Sequence, residues 1–252
     1  MAVGAALLGL AVGSFLNVVA HRVPSGRSVI RPASTCPACA QPIRPADNLP
    51  VVSWLLLGGR CRDCRAPISP RYPLVEAATG VGFAAAVLVV GPSWVLPAYL
   101  CFVAVTLVLI LTDLDHHRIP NRILYPGTGV GTLLLLLGAA VEGEGHRFLQ
   151  ALGGGLLYFV LLFLIALVAR GGFGLGDVKL SFLLGEFLAF LSWGTLGTGV
   201  FLAFTIGGLT ALALLLAGRK TRKDAMPFGP ALIAGTWLAI PFGEQLVRWY
   251  LA

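Results

Sequence analysis

Two acidic breaks interrupt apolar runs at places where lipid-facing helix would not tolerate them. The first, Leu111 to Pro120, reads Leu-Thr-Asp-Leu-Asp-His-His-Arg-Ile-Pro and carries Asp113 and Asp115; the second, Gly171 to Leu180, reads Gly-Gly-Phe-Gly-Leu-Gly-Asp-Val-Lys-Leu and has Asp177 as its only acid. An ionisable side chain at membrane depth costs several kcal/mol unless it faces protein or water, so its default reading is functional, with a partner to be named. An acid of the first break pairs with Asp177 in this reading. Two carboxyls held close share one proton, because like-charge repulsion and desolvation oppose ionising both. The ionised member can then polarise a water molecule while the protonated one hydrogen-bonds a scissile carbonyl, which is metal-free hydrolysis of an amide. The competing reading is that each Asp only caps a helix end. Gly171, Gly172, Gly174 and Gly176 favour the site, since they let backbone approach a substrate or a facing helix. Spacing alone does not choose between Asp113 and Asp115.

A second constellation is Cys36-Pro-Ala-Cys39 and Cys61-Arg-Asp-Cys64, two CxxC pairs separated by 21 residues. Each CxxC turn presents two sulfurs to one metal, so Cys36, Cys39, Cys61 and Cys64 suit a tetrahedral Zn²⁺ that is structural, with no open ligand position. Disulfides are the rival. They are rare in a reducing compartment, where the charge pattern described below places this loop. Cys101 stands alone in an apolar run and reads as a small core side chain.

The elements that must hold these groups are membrane helices. The 252 residues are 57% hydrophobic and 12% charged, with a mean hydropathy of +0.88, against about 45–50% and 25% for soluble chains. The chain is expected to be an all-α polytopic membrane protein. A span needs about 20 apolar residues, and the runs predict eight: 2–20, 73–90, 94–112, 122–141, 148–169, 178–191, 196–217 and 228–247, the sixth the shortest. Residues 1–20 form a retained first span, 21–72 a cytoplasmic cysteine-rich loop domain, and 73–252 the membrane core.

The net charge of +7 does not indicate nucleic acid, because its distribution follows membrane orientation. With the N-terminus outside, sixteen of eighteen cations lie on inward segments, and Arg147 and Arg248 are the two outside. Both acidic breaks then face the cytoplasm. Within the loop, Asn48 to Arg60 is too short to span and is expected to dip into the lipid interface at Trp54. Glu76 either faces the site or pairs with Arg71. Lys179 either pairs with a carboxylate or snorkels to headgroups. His116 and His117, adjacent and so on different faces, read as part of a solvated loop. Asn17 and His21 share a face of the first span and read as interhelical hydrogen-bonding groups. A proton-coupled transporter, which also places acids at broken helices, is the alternative class.

Asp113 with Pro120 seven positions on, Gly174-Leu-Gly176-Asp177 with Lys179, and Met226-Pro-Phe-Gly-Pro230 resemble the type IV prepilin leader peptidases, the GxGD class of intramembrane aspartic proteases, over nearly the whole chain. That resemblance implies that Asp113 and Asp177 are the catalytic carboxylates, with Asp115, Gly174, Gly176 and Lys179 as accessories. It implies type IV prepilin or pseudopilin substrates, cut at the cytoplasmic face of the bacterial inner membrane. It further implies N-methylation of the new N-terminus from S-adenosylmethionine, an activity that accompanies the cysteine-rich loop.

Overall fold

The computed structural model describes residues 1–168, 174–218 and 228–251; their regular elements are helices, with no strand among the described residues, and residues 23–70 are largely irregular. Eight helices of 17 residues or more occupy the eight expected runs: α1 (Ala2–Arg22), α3 (Arg71–Val90), α4 (Leu96–His116), α5 (Asn121–Glu142), α6 (Gly145–Val168), α7 (Leu175–Leu191), α8 (Trp193–Leu216) and α9 (Gly229–Leu251). A short helix, α2 (Val52–Leu56), lies in the cysteine-rich loop. Six of the eight, α1, α3, α4, α5, α6 and α8, are long and apolar enough to cross a membrane. The shortest is α7, at 17 residues, and α9 carries Pro241, Glu244 and Gln245 in its second half. The structure therefore supports a multi-pass helical membrane protein without fixing the count at eight. Glycines and prolines set the ends: α3 stops at Gly91 (φ 74°) and α5 follows Pro120 and stops at Gly143 (φ 71°). Of the motif residues named above, Gly171, Gly172, Phe173, Met226 and Pro227 lie outside the described residues.

The described chain divides into two units. The first comprises residues 1–91 and 103–108. Its helices α1 and α3 meet through small residues: a Cβ at Gly9 would stand 2.7 Å from the Thr79 carbonyl oxygen, and one at Gly13 2.7 Å from the Glu76 Cα. Such close backbone approach is how helices associate where lipid removes the usual hydrophobic drive. Asn17 adds a bond to the Tyr72 carbonyl at 3.3 Å. Glu76, buried on α3, accepts the Val51 N–H at 2.7 Å just before α2. It thereby ties the loop to the start of that helix.

The second unit comprises residues 92–102 and 109–252. Helix α7 runs through its interior, with every residue from Leu183 to Phe190 buried. Its neighbours approach through glycine. A Cβ at Gly154 on α6 would collide with the Ala189 side chain, and one at Gly185 would come 2.7 Å from the Gly154 carbonyl oxygen. From α4, Tyr99 donates its hydroxyl proton to the Phe187 carbonyl at 2.9 Å, and Phe102 stacks on the Phe187 ring at 4.5 Å. These contacts fix the C-terminal half of α7 in the interior, and Asp177 lies in the first turn of the same helix.

Candidate active site

Asp113 sits one turn before the end of α4. The helix ends there because His117 turns into the left-handed region (φ 50°, ψ 40°), where its N–H still bonds the Asp113 carbonyl at 2.8 Å. His is among the residues that adopt this conformation most readily. Asp177 lies in the first turn of α7, where its acidic charge suits the helix N-terminus. Gly229 opens α9. The three meet: a Cβ placed on Gly229 would lie 2.8 Å from Asp113 Oδ2 and 3.3 Å from Asp177 Oδ1. The two carboxylate oxygens are thus no more than 6.1 Å apart, the sum of those distances.

Both carboxyls are buried, Asp113 at 4% exposure and Asp177 at 8%. Asp113 Oδ2 has no hydrogen-bond partner among the described residues. A buried acceptor without a partner loses its solvation with no return, so this oxygen keeps hydrogen-bonding capacity for a group that enters the site. Asp113, Asp177, His117, Arg118, Ile119, Asn121, Gly174, Gly176 and Lys179 line a cavity of about 290 Å³. Its mouth is cationic and its base is acidic.

Gly174 and Gly176 give room at this point. A Cβ on Gly174 would come 3.3 Å from Asp177 Oδ2, and one on Gly176 3.2 Å from Ile119. Lys179 does not ion-pair with either aspartate; its Nζ lies 3.4 Å from Asn121 Oδ1 and 5.6 Å from the Tyr125 ring centre, both on α5. Asp115 is exposed and is not among the cavity-lining residues. His117, expected in a solvated loop, is exposed yet also lines the cavity. Gly229 emerged from the sequence only as part of the Met226-Pro-Phe-Gly-Pro230 stretch. Nothing in its spacing from Asp113 announces the contact.

The cysteine cluster, in the first unit, is assembled from two matching turns. In one, the Cys36 N–H bonds the Gln41 carbonyl at 2.9 Å and Ala40 takes a positive φ of 59°. In the other, the Cys61 N–H bonds the Ala66 carbonyl at 2.8 Å and Arg65 takes φ 59°. The sulfurs of Cys36, Cys39, Cys61 and Cys64 all lie within 4.8 Å of one another, and none of the cysteines forms a disulfide. A tetrahedral ion with metal–sulfur bonds of about 2.3 Å separates its sulfurs by about 3.8 Å. Cys36 Sγ and Cys64 Sγ stand 3.8 Å apart, so the residues present fit such an ion. The clustered thiols share their protons unequally: backbone N–H groups of Cys39 and then Ala38 draw the Cys36 thiol down to about 6, while burial and hydrogen bonds among the thiols push Cys39 and Cys64 up. Arg62 on Asp47 (2.6 Å) and Arg44 on Asp63 (3.1 Å) brace the second turn from outside.

Residues 7–90 match the bacterial peptidase A24 N-terminal domain, and residues 100–215 match the type IV leader peptidase family. A prepilin leader peptidase/N-methyltransferase of Aeromonas hydrophila is 34% identical over 97% of this chain and 92% of its own length. One from Bacillus subtilis is 33% identical over 97% and 96%, and one from Pseudomonas aeruginosa 32% over 97% and 91%. No solved structure matches.

Proposed function

Because this chain belongs to the type IV leader peptidase family, we propose that it cleaves the leader from type IV prepilins or pseudopilins and N-methylates the new N-terminus, with Asp113 and Asp177 as the hydrolytic pair. The observation that carries the roles is the convergence of both buried carboxyls on Gly229, within 6.1 Å of each other. The pair holds one proton. The ionised member takes a proton from a water molecule as that water attacks the scissile carbonyl. The protonated member hydrogen-bonds the carbonyl oxygen and then returns a proton to the leaving amine. Asp113 Oδ2, lacking a partner among the described residues, is the oxygen with unmet capacity to bind the water. Gly174, Gly176 and Gly229 keep side chains out of the space that the substrate backbone must enter.

The cavity opens to the cytoplasm in this reading, because the cations of the chain gather on that side in the sequence. A prepilin can leave its hydrophobic helix in lipid while its cationic leader and cleavage junction reach the pair from the inner face. Cys36, Cys39, Cys61 and Cys64 hold a Zn²⁺ that folds the loop and takes no part in hydrolysis. Methylation consumes S-adenosylmethionine as a second substrate, and no step of it is assigned to residues of this chain.

The test is cleavage of a purified prepilin by the protein in detergent. Asp113→Asn and Asp177→Asn should each lower the rate about 10²- to 10⁴-fold, the range for losing a general acid or base, while helical content and elution volume stay unchanged. Undiminished cleavage by both folded variants sinks the assignment. Weighing the product with and without S-adenosylmethionine tests methylation in the same reaction.

A further inference from the structure

Glu186 lies on α7 nine positions beyond Asp177, about 13 Å further along the helix, and it is fully buried. Nothing in the proposed hydrolysis uses it. Its Oε1 has no hydrogen-bond partner among the described residues, and its Oε2 stands 2.8 Å from Thr132 Oγ1 on α5. That same hydroxyl oxygen lies 2.9 Å from the Thr128 carbonyl oxygen, one turn back in its own helix.

A threonine hydroxyl has one proton and a carbonyl oxygen can only accept. The Thr132 proton can serve only one of these two contacts; directed to Thr128, it leaves the bond at Oε2 to be made by a proton on the carboxyl. An ionised Glu186 would leave an uncompensated charge deep in the helix bundle, with its Oε2 facing an oxygen lone pair.

We propose that Glu186 is a neutral carboxylic acid donating to Thr132, and that this bond makes it a positioning residue for Asp177. It joins α7 to α5 at mid-helix, where a Cβ on Gly131 would lie 3.2 Å from the Phe187 ring, so that the two helices come close enough for the bond to form. Lys179 joins the same two helices at the site end through Asn121 and Tyr125. With both ties in place, α7 has one register against α5, and the Asp177 carboxyl one place against the Ile119–Asn121 wall of the cavity.

The activity half of the test rests on the proteolysis proposed above; the spectroscopic half does not. In the infrared difference between wild type and Glu186→Gln, full-length in lipid nanodiscs, the carbonyl stretch of a protonated carboxyl should disappear, and Thr132→Val should shift that band. Glu186→Gln still presents an N–H to Thr132 and should keep prepilin cleavage within about twofold. Glu186→Leu, of similar volume and without a donor, should fold but lose kcat on the order of tenfold with KM little changed, since small misplacements of catalytic groups are costly. Loss of an ionised-carboxylate band instead, or an equal fall for Glu186→Gln and Glu186→Leu, overturns the proposal. Were the wild-type protein to cleave no prepilin, the hydrolytic reading would fall while the infrared band still decided the proton.

Discussion

The cysteine cluster and the carboxylate pair are built by opposite means. Each half of the cluster is a local turn closed by backbone hydrogen bonds between residues five apart, such as the Cys36 N–H to the Gln41 carbonyl. Of its bracing ion pairs, Arg44–Asp63 lies at the surface, where such pairs contribute little, whereas Arg62 grips the mostly buried Asp47 carboxylate through two nitrogens. The carboxylate pair has no local logic: Asp113, Asp177 and Gly229 come from α4, α7 and α9, and Asp113 and Gly229 are 116 positions apart. What fixes them is the interior of a helix bundle in which glycines let backbones touch. The cluster should therefore depend on its metal and tolerate surface change, whereas the pair should depend on shape and tolerate almost no added volume near it.

The largest expected effect follows from the first half of that contrast. A loop with no buried core of its own folds by binding its metal, so that removing the ion removes the fold. Stripping the protein with a chelator, or substituting Cys36→Ser together with Cys61→Ser, should release one metal ion per chain, counted by elemental analysis, and expose residues 23–70 to limited proteolysis. The membrane helices should remain intact by circular dichroism. A loop that stays protease-resistant without metal would show that the turns and ion pairs suffice, and the contrast would collapse.

The second half is sharpened by a single methyl group. Gly229→Ala would set a Cβ 2.8 Å from Asp113 Oδ2 and 3.3 Å from Asp177 Oδ1, so one or both carboxyls must move. A displacement of about 1 Å at a catalytic group costs on the order of 10²-fold in rate. Gly208→Ala is the matched control, because nothing lies within 4 Å of its added methyl. Steady-state prepilin cleavage should separate the two substitutions, with folding unchanged in both. Equal rates would mean that the site adapts to volume.

The same contrast explains what the sequence revealed. Apolar runs of about 20 residues need no partner to be recognised, so all eight long helices appear where the composition puts them. The CxxC spacing encodes its own geometry for the same reason, since both turns are complete within six residues. The acids were visible as misfits in apolar sequence, but choosing Asp113 over Asp115 needed a family resemblance. The structure distinguishes them by burial, Asp113 inside and Asp115 exposed. The contact of Gly229 with both carboxyls, the turn at His117 that closes α4 beside the cavity, and the bond between Thr132 and Glu186 depend on how helices pack. No periodicity in one strand of text carries that information.

A local device inside the long-range region gives the smallest and most discriminating effect. Ser192 ends α7 and caps α8, its Oγ accepting the Thr195 N–H at 2.9 Å. Removing an N-cap hydroxyl costs about 1 kcal/mol, and Ser192→Ala should lower the thermal midpoint by a correspondingly small amount. The cap sits at the opposite end of α7 from Asp177, fifteen positions away. Because α7 is pinned between the cap and the carboxyl, by Gly154, Tyr99 and Gln150 at residues 185–189 and by Gly155 at Phe182, loosening that end should not reach the carboxyl, and cleavage should keep its wild-type rate. If cleavage falls as far as in Gly229→Ala while the midpoint barely moves, α7 is a lever whose far end governs the site. The rigidity assigned to the bundle would then belong to the cap.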